Sequence, residues 1–322
     1  FTEDLVDHDA LADHGDTVVA LRAFVAEYTA EAVAPVVGLE AEVIRELARD
    51  VSKAERAAFY MSTGVNMGRQ GSVAYWLLFM LSLCTGNFDR PGGNIYSRGF
   101  YPASKAGRIR GDIHYEDTAF GEVRRIRGSL PGNLLADMIE AKDNPIKGLV
   151  VVSGNPLLSM GTGSRLAEAF DKLEFLVVID IYPSATSEYA DYVLPATDMF
   201  ERADINICGL GLQKEPFIQY TDFVVPPRAE RKPEWWILRH IEQAQGFDTE
   251  NANLEDYQHA IDELGLFKRF DHMLRQGNLD IESVRAEGTI VLPPVRAGRF
   301  YEEIIQTETG RIDCCPEPFE EA

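Results

Sequence analysis

Residues 146 to 213 read IKGLVVVSGNPLLSMGTGSRLAEAFDKLEFLVVIDIYPSATSEYADYVLPATDMFERADINICGLGLQ, and two apolar runs inside this stretch decide the fold class. Leu149 to Val152 is uninterrupted by polar residues, the pattern of a parallel strand covered on both faces, and it stops at Gly154-Asn155-Pro156. A second run, Phe175 to Ile179, stops at Asp180. Between them Ser164 is placed to cap a helix that carries Leu166, Ala169, Phe170 and Leu173 on one face. The order strand, helix, strand predicts an α/β chain with a Rossmann-like, mostly parallel sheet and flanking helices.

Open parallel sheets bind ligands at the carboxyl ends of their strands, where Asn155 and Asp180 fall. An Asp at that place can accept hydrogen bonds from a guanine edge or from ribose hydroxyls. Asn-Pro and Asp-Ile-Tyr-Pro are equally ordinary turn chemistry, because Asn and Asp bond their own backbone and Pro fixes φ. There is no GxGxxG, and Gly161-Thr162-Gly163 is too short to act as one. On spacing alone both readings stand.

Composition narrows the class. With 322 residues, 45% hydrophobic and 26% charged, the chain can bury a core or two and is not of disordered type. A formal net charge of −21 disfavours nucleic acid and anionic membrane surfaces as partners, since both are polyanions. The most apolar stretch, Val73 to Cys84, is about a dozen residues, short of the roughly 20 that cross a bilayer, so we expect no membrane span. Cys84, Cys208, Cys314 and Cys315 have no C-x-x-C spacing and are read as free thiols. The six histidines lack H-x-x-x-H spacing and there is no G-x-S-x-G elbow, which removes zinc-hydrolase and serine-hydrolase readings. Compartment, cytoplasmic or periplasmic, is left open.

Along the chain we expect helices at Thr17 to Tyr28, capped by Asp16, and at Glu40 to Ala54, then a strand at Ala57 to Met61 and an apolar helix ended by Gly86. Residues 87 to 128 read as one long loop. Its basic residues, with Arg90, Arg98, Arg124 and Arg125 among them, fit either support for cofactor phosphates or a solvated surface. Pro131 opens a helix to Ala141, Trp235 to Gln245 is helical, 252 to 275 holds one or two helices, and 288 to 322 is strand-like. The order of elements leads us to expect a helical segment (1–56), a Rossmann-like region (57–245) and a helical, then strand-rich, C-terminal segment (246–322).

An ordered set of short motifs sharpens this reading. G-N-P (154 to 156), V-V-I-D-I-Y-P-S-A-T (177 to 186), A-D-Y-V-L-P-A (190 to 196) and Glu201 are preceded by Gly64-Val65-Asn66, Thr85-Gly86-Asn87 and Arg90-Pro91-Gly92-Gly93. Pro226-Pro227 to Glu234-Trp235 and Thr309-Gly310-Arg311-Ile312-Asp313 follow. In this order the chain resembles the molybdopterin oxidoreductases of the dimethyl sulfoxide reductase family. The resemblance implies a molybdenum or tungsten bis(molybdopterin guanine dinucleotide) cofactor and two-electron redox or oxygen-atom transfer on a small substrate. An electron-transfer subunit as partner is implied as well. Carried over by motif, the cofactor contacts fall on Thr63, Met67, Asn155, Ile179, Asp180, Arg202 and Glu234. Glu234 also suits a helix start through the macrodipole. Relatives often read E-G-R-x-Q where this chain has Cys208-Gly209-Leu210-Gly211-Leu212-Gln213, so one Arg is a Leu here.

The resemblance further leads us to expect an internal piece of a longer polypeptide, inactive alone. Any iron-sulfur cluster, the protein ligand to the metal and a closing C-terminal domain would lie outside it. Two alternatives come with the same fold: the scaffold domain of the large iron-sulfur subunit of NADH dehydrogenase, and the central domain of a thiamine-diphosphate enzyme. The first is disfavoured by Asn155, Asp180 and the basic residue after Glu201, the second by A-D-Y-V-L-P-A.

Overall fold

The computed structural model describes residues 1–96, 115–118, 120–125, 129–161, 163–206, 215–246, 271, 274–275, 277–280 and 281–320. The chain packs as two units, one formed by residues 1–109, 209–216 and 292–322, the other by residues 110–208 and 217–291. The expected boundaries at 56 and 245 follow the order of elements along the chain, whereas these units gather residues close in space, so residues 57–96 join the helical unit.

In the first unit α1 (His8–His14), α2 (Val18–Val25), α3 (Ala30–Val37), α4 (Ala41–Lys53) and α5 (Gly71–Cys84) supply the helices. Its core joins Leu11, Leu21, Trp76, Met80 and Leu83 to the buried thiols Cys84, Cys314 and Cys315. Burial pushes the Cys84 thiol up to about 11 and the Cys314 thiol up to about 12, so both are inert as nucleophiles at neutral pH. Residues 309–313 close this core. Gly15-Asp16 pairs in parallel with Ile312-Asp313, and Arg311 donates to the Asp16 carboxylate at 2.7 Å and to the Gly15 carbonyl at 2.6 Å. Asp16 therefore does not cap α2. That place belongs to Thr17, at φ 55, because the Asp16 carboxylate is committed to Arg311 and Thr309.

The expected strand at 57–61 is absent. A strand requires a ladder partner, and this segment bonds to side chains instead: Asn87 Oδ1 accepts the Ala57 N–H at 2.9 Å, and Asn94 accepts from and donates to the Phe59 main chain at 2.9 and 2.7 Å. Two glycines of G-N-F-D-R-P-G-G are there for space. A Cβ on Gly86, at φ +63, would meet Asp7 Oδ2 at 2.1 Å, and one on Gly93 would meet the Asn87 carbonyl at 2.0 Å. Residues 300–304 form a π-helical turn, so the 288–322 region is less strand-like than its composition predicts.

The second unit begins with a hairpin, β1 (Tyr115–Thr118) and β2 (Gly121–Arg124), inside the stretch read as loop. Its alternation is too short and too polar to register as strand pattern. Then come α6 (Leu135–Ile139), β3 (Gly148–Val152), α7 (Pro156–Ser159), α8 (Gly163–Phe170), β4 (Phe175–Asp180) and β5 (Tyr192–Pro195), with α9 (Glu234–Ala244) further on. The strands form a parallel sheet in the order β3-β4-β5. Ser164 lies within α8 rather than before it, so it is not the cap.

Alternate side chains of β4 enter different cores. Leu176 and Val178 pack with Ala136, Ile139, Leu166, Ala169 and Phe170 on one face, and Val177 and Ile179 with Ala196 and Ile237 on the other. The unit is thus a helix-sheet-helix sandwich, the mixed α/β architecture expected. A smaller antiparallel sheet pairs Asp204–Ile205 with β6 (Phe217–Thr221) and β6 with β7 (Thr289–Val291), backed by α10 (Ile281–Glu287). The helices expected at 252–275 fall almost wholly outside the described residues. Leu166 is fully buried against β4, so Leu166→Ala should lower the opening free energy of the Val177 and Val178 amides by about 2–5 kcal/mol, read by native-state hydrogen exchange of the intact protein.

Candidate functional site

At the carboxyl end of the parallel sheet the chain turns sharply out of β3. Ser153 adopts φ 51 and donates its N–H to the Ile179 carbonyl at 2.9 Å. Asn155 follows, and its Oδ1 accepts from the Thr186 hydroxyl at 2.8 Å and the Thr186 N–H at 3.3 Å. The fully buried Thr186 in turn accepts from the Leu157 N–H at 3.3 Å. One threonine therefore locks the loop after β3 to the loop after β4. Asn155 Nδ2 has no partner among the described residues and is left as a free donor pair.

Asp180 ends β4. Its Oδ1 accepts the Ile181 N–H at 2.7 Å and the Tyr182 N–H at 3.4 Å, which is turn chemistry, while Oδ2 has no partner among the described residues. Its neighbour Ile179 is fully buried in the core under α9, and its carbonyl is taken by the Ser153 N–H, so this position offers a ligand neither side chain nor main chain. Glu234 opens α9 and is held from two sides. Oε2 accepts from Arg202 at 2.8 Å and Oε1 from the Ser153 hydroxyl at 3.3 Å. The Arg202 Nε is buried without a hydrogen bond, 3.8 Å from Asp204 Oδ2. Arg202 and Glu234 thus form one ion pair beside Ser153, where the sequence offered two separate candidates.

Glu201 is a different case. Its side chain is 2% exposed and accepts the Asp198 N–H at 3.2 Å, the Arg228 N–H at 3.1 Å and the Arg231 guanidinium at 3.1 Å. Burial works against ionisation here, yet Arg231 and the two N–H donors prevail and hold the carboxyl below its ordinary value. This motif residue is a structural latch for the segment after β5. Asp191 of A-D-Y-V-L-P-A acts similarly, accepting the Leu176 N–H at 2.7 Å at the start of the ladder.

Thr63 and Met67 belong to the first unit. Thr63 lines an open cavity of about 580 Å³ together with Phe59, Tyr60, Ser62, Tyr75 and Asn94. Met67 is 83% exposed and does not line it. Sequence reasoning passed over Ser153 and Thr186 as contributors. Thr186 ends the quoted V-V-I-D-I-Y-P-S-A-T motif, so the signal was present, but its partner lies 31 residues away. The Cys208 to Gln213 segment and most of the basic cluster lie outside the described residues. Arg125 is paired with Glu116. Among the described residues no helix is long and apolar enough to cross a membrane, and no group of three or more His, Cys, Asp or Glu is placed to hold a metal ion.

A family model described as molybdopterin oxidoreductase matches residues 20–244. The chain belongs to the molybdopterin oxidoreductase family. Among curated members it is 25% identical over 261 residues to the F420-dependent formate dehydrogenase subunit alpha of Methanocaldococcus jannaschii, covering 76% of this chain and 37% of that protein. It is 27% identical over 322 aligned positions to a dimethyl sulfoxide/trimethylamine N-oxide reductase of Rhodobacter capsulatus, covering 88% and 38%. In fold it is similar to acetylene hydratase from Pelobacter acetylenicus, with a TM-score of 0.74 and 19% identity, over 99% of this chain and 46% of that one. The chain spans between a third and two fifths of these two curated relatives.

Two measurements check the strand-end network of this family member. Because the folded pKa of Glu201 is depressed, its contribution to stability is complete above the unfolded-chain value of about 4.3 and is lost as pH falls through the lower folded value. Protection of the Asp198 and Arg228 amides should follow that loss, and in Glu201→Gln it should be weak and flat across the same range. Thr186→Val removes the donor to Asn155 and the acceptor of Leu157 and should destabilise by about 1–3 kcal/mol, read from the denaturant midpoint of the second unit.

Proposed function

We propose that this chain is the dinucleotide-holding portion of a molybdenum or tungsten oxidoreductase, and that the strand-end residues of the second unit bind one pterin guanine dinucleotide. The observation that carries the reading is the pair of open groups at adjacent strand ends: Asp180 Oδ2 and Asn155 Nδ2 lack partners among the described residues, while Oδ1 of each is fixed by N–H or O–H donors. A carboxylate so fixed suits two N–H donors of a guanine edge, and an amide N–H₂ suits ribose or phosphate oxygens. The donor set therefore fits the group.

In this reading Asp180 accepts from the base, Asn155 donates, and Arg202, with its Nη2 unpaired among the described residues, presents positive charge while its Nη1 orients Glu234. Thr186 and Ser153 are positioning residues. The cofactor, when bound, supplies two-electron redox chemistry at its metal, and the protein supplies orientation and electrostatics. Formate and dimethyl sulfoxide or trimethylamine N-oxide in the names of the relatives point to a small substrate. The intact protein would pass its electrons to a partner subunit or soluble carrier.

The test is Asp180→Ala in the intact protein, followed by assay of metal and of released guanine nucleotide. Retention of both should fall by about tenfold or more, the scale of losing charge-assisted hydrogen bonds. Unchanged nucleotide content in Asp180→Ala, or purified wild type with neither metal nor nucleotide, would remove the reading and favour the scaffold relationship.

A further inference from the structure

The first unit contains a second open cavity, of about 290 Å³, lined by α1, the turn at 86–89 and the segment around Gly298 and Tyr301. Its wall is acidic. Asp7, Asp9 and Asp13 come from α1 and its cap, and Asp89 from the turn. His14 is the single base among its described lining residues, and it stacks on Tyr301 with ring centroids 3.6 Å apart.

Asp89 is the decisive residue. It is 5% exposed, its Oδ2 accepts the Phe300 N–H at 2.8 Å, and its Oδ1 is buried with no hydrogen-bond partner. The backbone holds it at φ 51, with its own N–H given to the Asn94 carbonyl at 2.6 Å and its carbonyl accepting the Gly298 N–H at 3.0 Å. Asp tolerates that left-handed conformation better than most residues, but it is a cost the fold bears while leaving a carboxylate oxygen unsatisfied. Burial also pushes the carboxyl up, outweighing the opposing pull of the Phe300 N–H and of His14.

We infer that this cavity binds a small organic cation with N–H donors, an alkylammonium or guanidinium head, seated on Asp89 Oδ1 against the rings of Phe88, Tyr301 and His14. An N–H donor satisfies the orphaned oxygen, the cationic charge offsets the four carboxylates, and aromatic faces attract cations. The volume, near the lower limit of ligand pockets, admits only a small head group. A bare metal ion fits less well, because no three acidic or imidazole side chains converge on one point among the described residues. The inference does not depend on the proposed cofactor role, since it uses none of the strand-end residues.

Titration calorimetry of the intact protein with methylguanidinium chloride and n-butylammonium chloride tests it. Saturable binding is expected, weakened about tenfold or more in Asp89→Asn, which keeps the shape and an acceptor for Phe300. In case that variant is unstable, Asp9→Asn combined with Asp13→Asn changes only the rim and should weaken binding severalfold. A blocked Gly-Arg-Gly peptide separates the sources: tighter binding than methylguanidinium identifies the side chain of a polypeptide as the occupant, and weaker binding identifies a free cation. Absence of saturable binding, or equally tight binding of tetramethylammonium, which has no N–H, would overturn the assignment.

Discussion

The second unit depends on one strand buried on both faces. Phe175 to Asp180 lies between two neighbours in register, and its side chains alternate between the core under α6 and α8 and the core under α9. Such a strand cannot shift by one residue without exchanging the contents of the two cores, so its register is fixed by packing. Its end is fixed with it. Asp180 is therefore placed by hydrophobic burial some residues away, and its carboxylate arrives at the sheet edge with one oxygen already occupied by the turn. A site built on such a strand is preorganised before any ligand arrives.

Polar side chains then convert a sheet edge into a defined surface. Thr186 and Asn155 join two loops that have no backbone ladder between them, and Glu234, Arg202 and Ser153 join a helix start to a strand end. The Thr186–Asn155 and Arg202–Glu234 bonds lie in partly buried surroundings, where a missing partner is expensive and a satisfied network is rigid. Glu201 shows the same economy in purely structural form, one carboxylate closing three hydrogen-bond demands. The first unit applies it to main chain. Asn87 and Asn94 satisfy an extended segment that has no strand beside it, and Arg311 fastens the end of α1.

The chemistry at these positions also separates motif residues by role. Glu201 belongs to the most recognisable part of the sequence, yet both of its oxygens are committed to backbone N–H groups and to Arg231. Asp180 and Asn155, whose turn chemistry looked equally ordinary, keep a polar atom open. What distinguishes Glu201 from these two is the number of acceptors or donors left after local bonding, a quantity that has no trace in residue type.

The sequence by itself determined the parallel sheet, its flanking helices and the family, because runs such as Leu149 to Val152 and Phe175 to Ile179 follow from local periodicity and the motifs occur in a fixed order. It also placed Asn155 and Asp180 at strand ends, since a turn must follow where the apolar run stops. Only the tertiary structure decided that Ile179 faces a core, that Arg202 and Glu234 are one ion pair, that residues 57–61 form no strand, and that Asp89 carries an unpartnered oxygen beside α1. Each of those outcomes turns on which groups meet across tens or hundreds of residues. Hydrogen-bond satisfaction is a property of such meetings, whereas periodicity and turn chemistry are properties of neighbours along the chain.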